Sequence, residues 1–347
     1  MIRRKGMFPH TAWVLFFHAH AGGSESHNYA TMWLTMTSRD RQTYYYNTKT
    51  GESSWSYPRT STHHRTSTRS MYDAVALNEI IATTGKSGGG DRTMTGIRKT
   101  NNWIKRILIE KYCQENASVL DLCCGKGGDL LKYKNRHIRS YVGVDFSGES
   151  LRAAMDRASP IISFQHRFIE HDLRTSAVNL DHAVHLVSAQ FCLHYFFESE
   201  ATLRMFMSTA ARNLTPGGHF VATFTDAAVL RGLLKMEAER PNTNTLYDLQ
   251  RVDGDAEDTS ISPYGSKYVF SCGTTITNSV EYMVDTQELA RVARSYGLKI
   301  VEGGNFHEFL YWESVRDSNR CIHARMSRKE WEVVNLYRMT VFKKIEE

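Results

Sequence analysis

The chain has 347 residues, 41% of them hydrophobic, and a formal net charge of +6 at pH 7, which suits one large domain with a full core and a small module. No apolar run approaches the ~20 residues that span a bilayer, and the six cysteines lack paired CxxC spacing, so we expect no membrane segment, metal site or disulfide framework. The basic excess is compatible with an RNA or polyphosphate substrate, and equally with a basic surface that binds no ligand.

The first 28 residues are predicted to be a disordered leader. Three cations at residues 3–5 precede an apolar run at residues 12–17, an order that faintly resembles a signal or transit peptide. The run is short and His18 and His20 interrupt its continuation, so a targeting segment is only the alternative to the leader.

Residues 29–59 have the pattern of a small module with three strands. The residues that carry the pattern are Trp33, Tyr44, Tyr45, Gly51, Trp55 and Pro58. Their spacing resembles a WW domain, and a generic aromatic hairpin is the alternative. The resemblance implies that Tyr44 and Trp55 grip a proline ring of a proline-rich or phosphoserine–proline peptide, whose preformed polyproline conformation costs little entropy to bind.

A polar, basic stretch at residues 60–70 contains no core-forming residue and is predicted to be a flexible linker. Beyond it, residues 71–347 are predicted to form one large α/β domain. Its most informative part, residues 101–129, has the pattern of a basic helix, a buried strand at Ser118–Leu122 and a glycine-rich turn that leads into a helix from Leu130. Because Gly125, Gly127 and Gly128 have no side chains, a ligand can approach the backbone at this turn.

Carboxylates flank this glycine turn. Asp121 precedes it, Asp129 closes it, and Asp145 ends the next predicted strand, where α/β nucleotide-binding folds place a carboxylate on the ribose. Two acids beside the turn would repel a pyrophosphate and suit a cationic cofactor such as S-adenosylmethionine. A helix-capping loop without a ligand is the alternative for the glycine turn alone, whereas the three acids together favour a cofactor site.

The rest of the domain is predicted from hydrophobic periodicity and turn residues. Strands are predicted at residues 183–191, 219–225, 299–303 and 335–343, and a helix at residues 287–296. Residues 231–282 are predicted to form an insertion that covers the substrate.

Several short motifs follow one another in residues 101–337. They read NNWIK at 101–105, VLDLCCGKGGD at 119–129, QFCLHY at 190–195, FES at 197–199, NLTPGG at 213–218, YGSKY at 264–268 and VEY at 280–282, and continue to Trp331 and Tyr337. Together they resemble the eukaryotic mRNA cap guanine-N7 methyltransferases over about residues 70–347. The resemblance implies a Rossmann-like class I S-adenosylmethionine-dependent methyltransferase fold with a seven-stranded sheet, beside the all-β WW module.

The resemblance also implies a set of cofactor ligands. These are Lys105, Asp121, Gly125, Asp145, Asp172 and Gln190. Lys105 would meet the carboxylate of S-adenosylmethionine, Asp121 the region of its amino group, and Asp145 its ribose. Asp172 would meet the adenine amine, although its alignment crosses a variable stretch and an ordinary loop carboxylate is the alternative.

A second implied set would hold the capped RNA. It comprises Asn101, Lys126, Arg157, Phe191, His194, Tyr195, Glu281 and Tyr337. The guanine would lie against Phe191 and Tyr195, with His194 and Glu281 reading its polar edge and Tyr337 closing the pocket, while Asn101, Lys126 and Arg157 would contact the triphosphate. Core packing is the alternative for the buried members, and a solvated surface position for the triphosphate ligands.

The implied reaction transfers a methyl group to N7 of the cap guanine. N7 has a lone pair and no proton to remove, so we expect no acid–base catalyst; alignment can supply ~7–11 kcal/mol. His194, Tyr195 and Glu281 are expected to orient the base, and the Glu281 carboxylate would favour the guanine as it becomes cationic. We expect a monomeric nuclear enzyme that its WW domain recruits to the phosphorylated tail of RNA polymerase II.

Two positions depart from the family pattern. Cys123 stands where glycine is usual, and Thr225 lies near an expected proline. A Cβ at position 123 would crowd the cofactor if the site requires a positive φ. Two other function classes therefore stay open: a methyltransferase for another substrate, and a non-catalytic WW adaptor on an inherited fold, which Cys123 favours.

Overall fold

The computed structural model describes residues 33–37, 43–47, 53–54, 94–237, 242–252, 262–273, 276–317 and 326–345. The predicted leader at residues 1–28, the linker at residues 60–70 and the WW ligand Trp55 lie outside these residues. Contacts between residues divide the chain into two units, Met1–Arg65 and Thr66–Glu347.

The first unit contains a three-stranded antiparallel sheet. Its strands are β1 (Trp33–Thr37), β2 (Thr43–Asn47) and β3 (Ser53–Ser54), with β2 in the centre. Tyr44 of β2 lies opposite Met36 of β1, and Tyr45 pairs with both Thr35 and Ser54. The three strands lie within the segment where the sequence predicts a three-stranded module; the assignment of that module to the WW family stays a prediction.

The second unit is built around a seven-stranded mixed sheet. The strands of this unit are β4 (Ser118–Leu122), β5 (Ser140–Asp145), β6 (Gln165–Glu170), β7 (Val184–Gln190), β8 (Leu214–Thr225), β9 (Tyr247–Arg251), β10 (Lys267–Cys272), β11 (Ile276–Tyr282), β12 (Leu298–Asn305) and β13 (Tyr337–Lys344). The large sheet has the order β12-β13-β8-β7-β4-β5-β6. Strands β4 to β8 run parallel, and β13 runs antiparallel to both of its neighbours. This sheet confirms the predicted class I methyltransferase fold.

Helices connect the strands and cover the sheet. They are α1 (Thr95–Tyr112), α2 (Leu130–Asn135), α3 (Gly148–Ala158), α4 (Glu200–Asn213), α5 (Ala227–Glu237), α6 (Thr286–Ser295), α7 (Phe306–Arg316) and α8 (Arg328–Asn335), with a 3-10 helix at Leu193–Glu198. Ile104, Ile107 and Leu108 of α1 are fully buried, because apolar residues three and four apart lie on one face of a helix. None of the described helices is long and apolar enough to cross a membrane.

The predicted insertion contains most of α5 and a second sheet with the order β11-β10-β9. The β10–β11 hairpin carries Tyr268 opposite Glu281, both buried. Contacts between β11 and the 3-10 helix that follows β7 place this hairpin beside the carboxyl ends of the parallel strands.

Several predicted boundaries are wrong, and β8 begins at Leu214, five residues before the predicted start at residue 219. The final strand was expected at residues 335–343, but Asn335 ends α8 and β13 begins at Tyr337. Helix α8 starts with a capping box in which Ser327 and Glu330 exchange side-chain to backbone hydrogen bonds, and Val333 and Val334 are buried in the core.

Candidate active site

A cavity of about 530 Å³ opens at the carboxyl ends of β4, β5 and β7, the edge of a parallel sheet where α/β folds bind ligands. The structure places all the predicted ligands of the larger domain in its lining. These are Asn101, Lys105, Asp121, Gly125, Lys126, Asp145, Arg157, Asp172, Gln190, Phe191, His194, Tyr195, Glu281 and Tyr337. Their individual roles stay predictions, but the residues lie together in one cavity.

The glycine turn after β4 has the left-handed backbone that its sequence suggests. Gly125 and Gly127 have φ values of +50° and +66°, and Cys123 has a φ of +57°. The departure at position 123 therefore places a side chain where glycine is favoured. The neighbouring Cys192 thiol and burial raise the pKa of Cys123 well above its usual value.

Asp121 is a buried carboxylate at the end of β4. Burial and the nearby charge of Asp129 raise its pKa to about 7, although the Tyr141 hydroxyl, which donates to Asp121 Oδ2 at 2.9 Å, and Lys105 oppose the rise. A carboxylate that is costly to ionise in the free protein gains when a cation enters the same cavity. Asp121 therefore suits a positively charged ligand group.

Asp129, unlike Asp121, forms ion pairs with two lysines. Lys105 Nζ and Lys132 Nζ lie 2.8 Å and 2.7 Å from Asp129 Oδ1. Burial opposes ionisation, but the two ammonium groups hold the pKa of Asp129 below its usual range. This cluster fixes Lys105 at the wall of the cavity.

Two more of the predicted cofactor ligands end β5 and β7, the strands on either side of β4. Asp145, the last residue of β5, accepts hydrogen bonds from the backbone amides of Gly125 at 2.8 Å and Ser147 at 2.9 Å. Gln190, the last residue of β7, is fixed by the Thr223 hydroxyl, which donates to its Oε1 at 3.0 Å. These bonds orient the two side chains before any ligand arrives.

Asp172 follows β6 in a loop. Arg174 donates to both of its carboxylate oxygens, at 3.0 Å and 2.7 Å. Partial burial opposes ionisation, yet these bonds hold the pKa of Asp172 below its usual range. Asp172 thus has a bidentate partner in the free protein, unlike Asp121.

Glu281 is the most enclosed carboxylate of the cavity, with 1% of its surface exposed. Burial raises its pKa to about 7, against hydrogen bonds from Tyr268, Tyr195 and Ser279 that lower it. Tyr268 donates to Glu281 Oε2 at 2.7 Å, and the Thr225 hydroxyl lies 2.7 Å from the Tyr268 oxygen. When Glu281 is ionised, the single Tyr268 hydroxyl proton points to Glu281, so Thr225 donates to Tyr268.

His194 lies beside Glu281 with its Nε2 3.6 Å from Glu281 Oε2. Its side chain is buried, and neither ring nitrogen has a hydrogen-bond partner within the described part of the chain. Burial lowers the pKa of His194 to about 3, so the imidazole is neutral and its contact with Glu281 is not an ion pair. A buried polar ring without partners costs about 1–3 kcal/mol, which a ligand with matching donors or acceptors would recover.

Two aromatic rings also line the cavity. The Phe191 and Tyr337 rings meet edge to face with centroids 5.0 Å apart, and Lys105 Nζ lies 5.8 Å from the Phe191 centroid. Phe191 has a φ of +58°, and its amide is held by the backbone oxygen and the hydroxyl of Thr223, both at 2.9 Å. This turn directs Phe191 away from the sheet and into the cavity lining.

Sequence reasoning missed three supporting residues. Tyr268, Tyr141 and Thr225 orient the acids but do not line the cavity. Thr225 was noticed only as a departure from a pattern, and Tyr268 only as part of a motif. Their partners lie 13 to 43 residues away in the chain, and no local pattern encodes such pairs. Among the described residues, no cluster of histidines, cysteines or acids is arranged to hold a metal ion.

Comparisons with known proteins agree with this geometry. Residues 86–345 match the family model described as the mRNA (guanine-N(7))-methyltransferase domain. The chain is 32% identical over 272 residues to a protein named mRNA cap guanine-N(7) methyltransferase from Cryptococcus neoformans var. neoformans serotype D (strain B-3501A), covering 72% of this chain and 38% of that protein. It is 31% identical over 275 residues to mRNA cap guanine-N(7) methyltransferase 1 of Oryza sativa subsp. japonica, covering 72% of this chain and 74% of that protein.

A similarly named protein of Saccharomyces cerevisiae (strain ATCC 204508 / S288c) is 33% identical over 234 residues, which is 62% of this chain and 54% of that protein. The chain therefore spans about half or less of these two fungal relatives. A solved S-adenosylmethionine-dependent methyltransferase from Clostridium acetobutylicum superposes with a TM-score of 0.46 at 13% identity, covering 78% of this chain and 99% of that one.

Proposed function

The chain belongs to the mRNA (guanine-N(7))-methyltransferase family, and on that premise we propose that it methylates N7 of the guanine in the GpppN cap of RNA. The observation that carries this proposal is the buried pair of His194 and Glu281. A neutral imidazole without partners and a carboxylate that resists ionisation lie 3.6 Å apart in one cavity. Such a pair is complementary to a planar base with several polar edge groups.

The cofactor that the family and the fold imply is S-adenosylmethionine, which supplies an electrophilic methyl group on a sulfonium. The residues present fit its charges. Among the residues that the structure describes, Asp121 has no cationic partner at hydrogen-bond distance, and its pKa is raised, so a bound ammonium group would favour its ionised form. Lys105 would meet the carboxylate, Asp145 the ribose, and Gly125, Asp172 and Gln190 the rest of the cofactor.

The guanine would occupy the end of the cavity formed by Phe191, His194, Tyr195, Glu281 and Tyr337. An ionised Glu281 would accept hydrogen bonds from N1 and the exocyclic amine, and the same negative charge would stabilise the base as methylation makes it cationic. Asn101, Lys126 and Arg157 would contact the triphosphate, with their positions in the cavity lining as support.

No proton has to leave N7, so this mechanism uses no general acid or base. The rate would come from holding the nucleophile in line with the methyl and its leaving group, a contribution of ~7–11 kcal/mol when alignment is good. The neutral His194 supports this view, because an imidazole with a pKa of about 3 is a poor base near pH 7.

The N-terminal unit would recruit the enzyme to its substrate. Its three antiparallel strands support a WW domain in which Tyr44 and Trp55 grip proline, with a proline-rich peptide or the phosphorylated RNA polymerase II tail as ligand. A monomeric, nuclear, RNA-binding protein is part of the same proposal.

The test uses the full chain, labelled S-adenosylmethionine, and two RNAs that differ only in the presence of a GpppG cap. We expect label on the capped RNA alone, and its loss in Asp121→Ala and Glu281→Ala. Label on uncapped RNA would favour a methyltransferase with another target. Absence of cofactor binding in calorimetry would favour the non-catalytic adaptor.

A further inference from the structure

A continuous series of surface depressions leads away from the candidate active site. The main cavity and a depression on the outer face of α1 share Arg98 as a lining residue. That depression and the next one share Arg106 and Lys132, and the third depression, beyond α2, shares Asn135 with the second. The series therefore begins at the cavity and follows α1 and α2 without a break in its lining.

Cations dominate this surface, which we call the basic track. It is lined by Arg98, Lys99, Arg106, Lys132, Lys134 and Arg136. Among the described residues that line the three depressions, Glu110 is the one carboxylate, and it pairs with Arg106 at 2.8 Å. A surface with this excess of one charge attracts a polyanion.

Two helices fix the cations in a row. Arg98 and Arg106 lie eight residues apart on one face of α1, about 12 Å along the helix axis. Lys132 of α2 is held by Asn102 Oδ1 at 2.8 Å and by Asp129 Oδ1 at 2.7 Å, and Arg136 donates to the Cys113 carbonyl oxygen at 3.0 Å and 2.9 Å. The row is rigid in its middle and ends in the exposed Lys134.

Aromatic side chains occur along the same path. Trp103 lines the first depression and Phe164 the third, and both are partly exposed. Trp103 is held edge to face against Phe309, with ring centroids 6.4 Å apart. Cations that follow a groove together with exposed aromatic rings are typical of surfaces that bind single-stranded nucleic acid, where phosphates meet the cations and bases stack.

We propose that the basic track holds the nucleotides of the RNA that follow the cap, so that the protein binds the RNA chain as well as the cap structure. This proposal rests on the proposed function, because the track starts at the end of the cavity where Asn101 of α1 would meet the triphosphate. RNA fits better than an acidic protein, since its phosphates repeat along a chain that is already tethered in the cavity.

The experiment measures methylation kinetics with the full chain on the GpppG dinucleotide and on capped RNAs of 3, 6 and 12 nucleotides. The test variant is Lys99→Gln/Arg106→Gln. The matched control, Arg294→Gln/Lys299→Gln, removes the same charge from exposed positions on α6 and β12, and neither residue lines any of the three depressions. Direct binding of a labelled 12-nucleotide RNA is followed in parallel by fluorescence anisotropy.

We expect KM to fall with RNA length in the wild type and the control. Each phosphate contact on single-stranded nucleic acid contributes about 0.7 to the slope of log affinity against log salt concentration. In the test variant, which loses two such contacts, the factor by which KM for the long RNAs rises between 50 and 200 mM salt should therefore be ~7-fold smaller than in the wild type. The test variant should keep the kinetics of the wild type on the dinucleotide. KM independent of RNA length, or a test variant that behaves like the control, overturns the proposal.

The two readouts separate this proposal from the proposed function. If the dinucleotide is not methylated, the proposed function fails. The anisotropy measurement still shows whether the basic track binds RNA. Weaker RNA binding in the test variant than in the control then supports the track, and equal binding in both overturns it.

Discussion

Replacing Tyr268 with phenylalanine should change the pH dependence of methyl transfer. Tyr268 does not line the cavity, but its hydroxyl donates to Glu281 Oε2 at 2.7 Å, and this bond lowers the pKa of Glu281 against the effect of burial. Activity should need the ionised carboxylate, so it should rise as pH increases through the Glu281 pKa of about 7. Without the donor, the pKa rises further and the profile moves to higher pH.

The size of the effect follows from the bond that is lost. A hydrogen bond to a charged group contributes about 1.5–3 kcal/mol, and 1.36 kcal/mol corresponds to one pKa unit, so the midpoint of the profile should rise by ~1–2 pH units. At pH 7 the ionised fraction, and with it kcat/KM for the cap, should fall by roughly 5- to 50-fold. Most of this loss should be recovered near pH 9.5.

The assay is kcat/KM for GpppG-capped RNA between pH 6 and 9.5. Tyr112→Phe is the matched control, because it removes a tyrosine hydroxyl that donates to a carboxylate, Glu302, away from the cavity. The control should follow the wild-type profile. A Tyr268→Phe profile that keeps the wild-type midpoint, or an activity loss of equal size at every pH, would refute the role given to Glu281.

Three further predictions concern residues of the cavity and its support. Asp121→Asn should weaken cofactor binding measured by calorimetry. In the wild type we expect the affinity to increase between pH 6 and 8, because the Asp121 pKa is about 7, and this increase should be absent in the variant. An unchanged pH dependence would contradict the proposed contact. Cys123→Gly removes a side chain at a φ of +57°, so cofactor affinity should rise while the free energy of unfolding changes by less than ~1 kcal/mol; weaker binding would mean that the Cys123 side chain helps to hold the cofactor. Thr225→Val removes the donor to Tyr268 and should lower the free energy of unfolding in urea by ~1 kcal/mol, with a smaller change in the pH profile than Tyr268→Phe; a larger change would place Thr225 ahead of Tyr268 in orienting Glu281.

The sequence predicted the elements that carry local signals. Strand β4 has the predicted bounds, and β5 ends at Asp145 as predicted, because a run of buried residues ends at an acid or a glycine turn in each. The strand at β7 ends one residue earlier than predicted, at Gln190, because Phe191 adopts a positive φ that hydrophobicity does not reveal. Patterning thus located the strands, while backbone conformation set their last residue.

The sequence predicted which residues belong to the site, but not the hydrogen bonds that connect them. The ligands predicted from the order of the motifs lie in one cavity. The motifs do not indicate that the Tyr268 hydroxyl hydrogen-bonds with both Thr225 and Glu281. That connection depends on the register of the β10–β11 hairpin and on how it packs beside β8, which are tertiary properties. The pKa values of Asp121 and Glu281 were unpredictable for the same reason, since burial dominates both.

The position of the methyl group in the product tests the central claim most directly. Capped RNA methylated by the full chain would be digested to cap dinucleotides and compared by mass spectrometry and chromatography with standards methylated at N7 of guanine or at a ribose 2′ oxygen. The proposed contact of a guanine edge with His194 and Glu281, whose side chains lie 3.6 Å apart, predicts m7GpppG as the product. A methyl group on ribose or on another base atom would contradict the account.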